Sequence, residues 1–336
     1  MQLGLAEPLP RLVESKYQLA KSKSSLTFSP THLAVIRTSS RLPFQLRYCP
    51  ALGKKPPKPA SEGPTKKPDP FEDPPEDLLI ASAPRESPTH ILVLNKFPII
   101  AEHFIVATKA NKPQTHALEE SDLSVGLACV RAWEADKTSS GRRLFAFFNS
   151  GDHSGASQPH RHLQFLPVES MAQGAEDMGW GLLVDSILPP AGSKTPSTLP
   201  FAHFAARIPD KVTSAQLHGL YLQLYGAGQR AVQSYLDEHP GSLELHSTDD
   251  GSLPISYNLA LTSSAMALCP RRAEGQMLRR DDGSEIGFVA LNGTILAGTL
   301  MVKGEEEFET LQRDQSRLDD LLRAAGIPLD QNRENL

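Results

Sequence analysis

At 336 residues, with 22% of them charged and a formal net charge of −5, the chain can bury a substantial core but has no overall charge to recruit nucleic acid or an anionic membrane. Its cysteines, Cys49, Cys129 and Cys269, lie far apart and form no C-x-x-C, which argues against a disulfide framework or a zinc ribbon and for a reducing compartment. No apolar run reaches about 18 residues and the start lacks a secretory signal, so a soluble intracellular protein is expected.

Near the start, "PLPRLVESKYQLA" spaces Leu9, Leu12, Val13 and Tyr17 along one face of a helix, and "LTFSPTHLAVIRTSSRLPFQLRY" reads as strands and a turn. Residues from about 50 to 76 are so rich in proline and lysine that they read as a mobile surface loop. The runs "THILVLNKFPII" and "HFIVATK" predict neighbouring strands with Asn95 and Lys96 at their junction. Leu123, Leu127, Val130 and Trp133 recur at helical spacing behind a Ser121 cap, and "RRLFAFFNS" reads as a buried strand.

A second proline- and glycine-rich break, "SILPPAGSKTPSTLP", separates residues 1–190 from 200–336, two parts expected to pack as one unit. Beyond it, Thr213 and Gln216 form a T-x-x-Q capping box for a helix carrying Leu217, Leu220, Tyr221 and Leu224 to about Leu236. Two strand candidates, "SYNLALTSSAMALCP" and "EIGFVALNGTILAGTLMVK", precede a last amphipathic helix with Phe308, Leu311, Leu318, Leu321 and Leu322. Its start carries Glu305, Glu306 and Glu307, where negative charge complements the helix dipole. Grouped strands and separated helices argue for an α+β fold.

The stretch "NSGDHSGASQPHRHLQFLPV" concentrates the chemistry. On a strand, the period of two places His160, His162 and Gln164 on one face, about 6–7 Å apart in succession, and Arg161, Leu163 and Phe165 on the other. The preceding small residues let the backbone turn and offer N–H groups to phosphate oxygens. The lysine of a P-loop is missing. Three readings are open: structural histidines of a sheet, a metal site in which His153 joins the H-x-H pair, and nucleophilic attack by a neutral imidazole on phosphorus. The other histidines (His103, His116, His203, His218, His239 and His246) share no spacing and read as structural or surface residues.

"QPHRHLQ", with the Ser/Gly loop and the strand ending in Asn149 before it, resembles the histidine-triad superfamily, and its Gln164 resembles the nucleotidyl-transferase branch beside galactose-1-phosphate uridylyltransferase. "LNKFPIIAEHFIVATK", "YNLALTSSAMALCPRR" and "NGTILAGTLMVK" are similar to segments of the fungal-type diadenosine tetraphosphate (Ap4A) phosphorylases, also called ATP adenylyltransferases, in order over most of the chain. The resemblance implies a HIT/uridylyltransferase-like mixed antiparallel sheet with helices packed on it. It also implies a nucleotidyltransferase that converts Ap4A and phosphate to ATP and ADP, reversibly, through an adenylyl-histidine.

In that scheme His162 is the nucleophile and His160 orients it. Gln164 stabilises phosphoryl oxygens without exchanging a proton, which helps the intermediate await phosphate rather than water. The resemblance assigns ligand contacts to Lys54 or Lys55, to Asn95 and Lys96, to Asn149, and to Gly155, Ala156, Ser157 and Gln158. It adds Asn292, Gly293, Thr294, Thr299 and Lys303, although position 299 is methionine in relatives. No tightly bound cofactor is implied, Mg²⁺ is expected only with the polyphosphate, and sulfate is a candidate substitute for phosphate. The expected partners are Ap4A, ATP, ADP and phosphate, with no nucleic acid or membrane, for a monomer in the cytoplasm and conceivably the nucleus. The rival readings are a hexose-1-phosphate nucleotidyltransferase and a non-catalytic dinucleotide-binding protein.

Overall fold

The computed structural model describes residues 2–53, 68–136, 141–188 and 199–329. In chain order it runs α1 (Leu9–Ser22), β1 (His32–Arg37), β2 (Pro43–Tyr48), the short α2 (Pro50–Gly53), β3 (Leu79–Ala83), β4 (His90–Leu94) and β5 (Phe104–Thr108). Then come α3 (Glu120–Glu134), β6 (Leu144–Ser150), β7 (His162–Pro167), α4 (Val168–Ala172), α5 (Leu183–Ser186), β8 (Phe204–Arg207) and α6 (Ser214–Glu238). The last part holds β9 (Ser256–Leu261), β10 (Ala265–Arg271), β11 (Gly275–Arg279), β12 (Glu285–Ala290), a 3-10 turn (Gly293–Ala297), β13 (Thr299–Val302), α7 (Glu305–Arg313) and α8 (Ser316–Ala325).

Eight strands form one sheet in the order β3-β4-β5-β7-β6-β9-β10-β8, every pair antiparallel. Strand β7, which begins at His162, is therefore held between β5 and β6. The alternation of each strand divides its apolar residues between two cores. Leu163, Phe165, Ala146 and Phe148 face a core with α1, α3 and α6, filled by Val13, Trp133, Leu217 and Tyr221. Phe145, Phe147 and Leu166 face a second core with Phe44, Leu46, Leu296 and Leu300. The second core is roofed by a smaller sheet, β1-β2-β13, in which β2 pairs antiparallel with β1 and parallel with β13. The fold is α+β, as the element pattern implies, with a mixed small sheet and a purely antiparallel large one.

Several local expectations are corrected. Helix α3 starts behind Glu119, not Ser121, because the Asp122 carboxylate reaches back to accept the Glu119 N–H at 2.7 Å. "SYNLALTSSAMALCP" is a hairpin of two strands: the Thr262 hydroxyl accepts the Ala265 N–H at 3.1 Å and turns the chain. "EIGFVALNGTILAGTLMVK" is likewise broken, by the 3-10 turn whose Gly298 lies at φ 71°. The last helix is two helices, since Asp314 ends α7 and its carboxylate accepts from Ser316 and Arg317 at the start of α8. The T-x-x-Q box of α6 forms as expected, with the Thr213 hydroxyl 3.2 Å from the Gln216 N–H. Among the described residues, no helix is long and apolar enough to cross a membrane.

Candidate active site

His160 and His162 lie where β7 begins, His160 in a bridge to Pro113 and His162 as the first ladder residue, opposite Ala107. The Nδ1 of His162 is 2.8 Å from the His160 carbonyl oxygen, which can only accept, so Nδ1 carries the ring proton. The lone pair of a neutral ring is then on Nε2. Burial pushes His162 down to about 4, with the positive character of His160 adding to it and the bond to the His160 backbone opposing it. His162 is thus unprotonated at neutral pH, the state a nucleophile needs. His160 is held at both ring nitrogens, by Asp69 at 2.6 Å and by the Thr108 carbonyl at 2.7 Å.

Asp69 lies in the described part, residues 68–76, of the stretch expected to be a mobile loop. Phe71 is buried, with its ring centroid 5.2 Å from that of His162 and 5.5 Å from that of His160. One aromatic side chain suffices to seat the end of a polar segment on the core. Lys54 and Lys55 lie outside the described residues.

The ladder between β6 and β7 ends at Phe147–Gln164, and at His162 the buried side chain of Gln114 takes its place. Its oxygen accepts the His162 N–H at 2.8 Å, and its nitrogen donates to the carbonyls of Asn149 at 2.7 Å and His162 at 3.2 Å. Asn149 in turn accepts from the Gly293 N–H and from Asn258 Nδ2, both at 2.9 Å. Asn258 also donates to the Ser154 carbonyl and accepts from the fully buried Arg271. A Cβ at Gly293 would lie 2.7 Å from Phe147 and 2.8 Å from Asn149 Oδ1, so only glycine fits the close approach.

The loop after β6 is locked onto the same turn. Gly155 lies at φ +76°, and a Cβ there would stand 2.9 Å from Asn292 Cβ and from the Leu291 carbonyl. Asn292 Oδ1 accepts the Thr294 N–H at 3.0 Å and its hydroxyl at 2.8 Å. The predicted residues Asn149, Gly155, Asn292, Gly293 and Thr294 are therefore one connected assembly next to His162. Ala156 and Ser157 are exposed beside it. Among the described residues, the N–H groups of Gly155, Ala156, Ser157 and Gln158 meet no acceptor.

Gln164, half-buried, pairs with Ile105 on one side and Phe147 on the other. His103, set aside in the sequence as structural or surface, is buried two residues before Ile105 and so on the same face of β5. Its Nδ1 is 3.0 Å from Asn95 Nδ2. Burial pushes His103 down to about 4, while nearby Gln164 raises it and nearby His162 lowers it. Because neutral Nδ1 here accepts from the amide, Nε2 is the protonated nitrogen; it is buried with no acceptor within 3.5 Å among the described residues, and the Gln164 side chain is the hydrogen-bonding group near enough to raise the ring's pKa. The period of β5 contains this placement, but the pairing of β5 with β7 does not show in the sequence.

The remaining predicted contacts lie apart. Lys96 is exposed, its ammonium 5.7 Å from the centroid of the Phe97 ring. Thr299 is buried and its hydroxyl donates to Gln45 at 3.2 Å. Lys303 is exposed, with its backbone N–H on Glu307 at 2.8 Å. None of the three makes a hydrogen bond or ion pair to His160 or His162 among the described residues. His153 lies near His246, tilted rings with centroids 6.1 Å apart, and no three His, Cys, Asp or Glu side chains of the described residues converge as metal ligands.

Arg161, between the two histidines, points through the sheet. Its guanidinium contacts Glu119 and the fully buried Asp122, each at 3.0 Å, and Asp122 also meets His90 at 2.9 Å. Burial alone would raise the Asp122 carboxyl, but the His90 bond, the Glu119 N–H and Arg161 together hold it below the usual carboxylate range. This anchorage fixes which way the H-x-H pair faces.

The family model of the Ap4A phosphorylase N-terminal domain matches residues 4–178, and that of the ATP adenylyltransferase C-terminal domain matches residues 197–328. The chain is 26% identical to diadenosine 5',5'''-P1,P4-tetraphosphate phosphorylase 2 of Saccharomyces cerevisiae over 96% of each sequence. Its fold matches the crystal structure of yeast Ap4A phosphorylase Apa2, with a TM-score of 0.75 at 23% identity over 98% of each chain. The same yeast protein in complex with Ap4A matches with a TM-score of 0.71 at 24% identity, over 96% of this chain and 99% of that one. With the N-terminal model covering more than half of its residues and the C-terminal model following it in order, the chain belongs to the Ap4A phosphorylase family.

Proposed function

We propose that the protein is a nucleotidyltransferase that cleaves Ap4A with inorganic phosphate to ATP and ADP, with His162 as the adenylyl carrier. The observation that carries this reading is the His162 ring itself, whose Nδ1 is committed to the His160 carbonyl while burial keeps the ring neutral. In the first step the Nε2 lone pair attacks an α-phosphorus of Ap4A. The bond to the bridging oxygen breaks, its electron pair leaves with ATP, and AMP remains on the ring. In the second, a phosphate oxygen attacks that phosphorus, the N–P electron pair returns to Nε2, and ADP departs. Run backwards, the same steps make Ap4A from ATP and ADP.

Gln164 supplies amide N–H donors to the non-bridging oxygens, and the exposed loop N–H groups of Gly155 to Gln158 supply more. ATP is a stable leaving anion near neutrality, so no acid at position 164 is required. Mg²⁺, on this reading, arrives with the polyphosphate substrate, and the protein works as a cytoplasmic monomer. The test is to mix protein and Ap4A without phosphate and look for an AMP mass increment on the His162 peptide. Added phosphate should discharge it as ADP. Full turnover by His162→Ala would overturn the reading.

A further inference from the structure

Asp69 lies outside every motif in the sequence, yet its carboxylate is built into the histidine pair. Oδ2 is 2.6 Å from His160 Nδ1 and 3.0 Å from Asn111 Nδ2, while Oδ1 is 2.9 Å from the Phe71 N–H. Asn111 and the backbone N–H are donors to it, which is the surrounding of an ionised carboxylate. The opposite nitrogen of His160, Nε2, faces the Thr108 carbonyl at 2.7 Å, and a carbonyl only accepts. Each ring nitrogen of His160 thus has an acceptor in reach for a proton, and the Thr108 hydroxyl also lies 3.1 Å from Nε2. The result is a buried histidine–carboxylate pair, with side chains 1% and 14% exposed, directly behind His162.

We infer that Asp69 is a positioning residue for adenylyl transfer, holding His160 as a doubly protonated ring so that the His160 carbonyl stays fixed on the His162 Nδ1–H. The chain of contacts is short. Asp69 and Thr108 pin the two ends of the His160 ring, the ring sets its own backbone, and that backbone carbonyl selects the tautomer that leaves His162 Nε2 unprotonated. Two residues further on, Phe71 covers both rings and keeps water from competing for these bonds. The positive charge so held also lies two residues from a centre that takes up a phosphoryl group, where it favours the negative transition state.

This inference rests on His162 being the adenylyl carrier, and its test separates the two. Asp69→Asn keeps the shape of the side chain and can still accept the Phe71 N–H, but an amide cannot hold His160 as a cation. The variant should lower kcat about 10- to 100-fold, with KM for Ap4A changed less than threefold and a slower appearance of covalent AMP. Nitrogen-15 spectra of histidine-labelled protein should show an imidazolium pattern for His160 in the wild type and a neutral ring in the variant. A neutral His160 in the wild-type protein overturns the inference, and that measurement needs no variant to fold. So does a folded Asp69→Asn protein with wild-type kcat. If His162→Ala instead keeps full turnover, the proposed function fails while the state of His160 is still read directly.

Discussion

Gln114 grips His162 by its backbone, accepting the His162 N–H at 2.8 Å and donating to its carbonyl at 3.2 Å, while the same amide reaches the Asn149 carbonyl at 2.7 Å. One buried side chain thereby replaces the ladder bonds that β6 and β7 give up as they diverge. The divergence lets the loop from Gly151 to Pro159 leave the sheet beside His162.

Removing that amide should damage both stability and rate. Gln114→Ala strands buried backbone groups of His162 and Asn149, at a cost of about 1–3 kcal/mol for each one left unpaired. Urea unfolding is expected to show a loss of about 2–4 kcal/mol, and steady-state kinetics at least a tenfold drop in kcat. Unaltered kinetics in a folded variant would mean that the proposed role of His162 does not depend on this grip.

Gly155→Ala tests the contact between the loop and the Asn292 turn. The new Cβ meets Asn292 and the Leu291 carbonyl at 2.9 Å, at a φ of +76°, with strain of about 1–3 kcal/mol. KM for Ap4A is expected to rise about tenfold or more. Gly141→Ala, also at positive φ but with none of the described residues within 4 Å of the added Cβ, serves as the control and should leave KM unchanged.

Acid should weaken the fold over a defined window. His103 and His162 are both pushed down to about 4 by burial, from an ordinary 6.5, so between these values the unfolded chain takes up protons that the native one refuses. Stability is therefore independent of these groups above pH 6.5 and falls as pH drops towards 4, by on the order of 3 kcal/mol per histidine. Denaturation midpoints at pH 7, 5.5 and 4.5 check the direction. Because attack needs the neutral ring, the acid limb of kcat/KM belongs nearer pH 4 than 6.5, and a limb at 6.5 in a folded protein would contradict the burial of His162.

Arg161→Leu leaves Asp122 fully buried without its guanidinium, which typically costs about 3–5 kcal/mol. Thermal unfolding should show that loss. The double variant Arg161→Leu, Asp122→Asn should recover part of it, since the amide carries no charge and its oxygen can still accept the Glu119 N–H. A single variant as stable as the wild type would remove Arg161 as the anchor of the motif.

The fold was largely legible wherever a period was strong. Val13 and Tyr17 on α1, Leu217 and Tyr221 on α6, and the alternation of His160, His162 and Gln164 against Leu163 and Phe165 all lie where their spacing puts them. Family resemblance added Asn149, Gly155 and the Asn292–Thr294 turn, which come together only because β6 pairs with β9 in the folded sheet. Gln114, His103, Asn258 and Asp69 escaped because each acts through a partner distant in sequence, 48 residues from Gln114 to His162 and 91 from Asp69 to His160. Asp69 was further disguised by its neighbours, since proline and lysine dominate the composition around it and a single phenylalanine decides its placement.

Strand β6 lies in the segment that matches the N-terminal family model and β9 in the segment that matches the C-terminal one, and their ladder runs from Ala146–Leu261 to Ser150–Tyr257. A chain cut between residues 188 and 199 would leave His162 on one fragment and the Asn292 turn on the other. Each fragment would also present a long apolar strand with unsatisfied backbone groups, an invitation to self-association. Heredity should accordingly pass the two segments on as an indivisible pair, and a laboratory wishing to study either alone would have to supply the missing border.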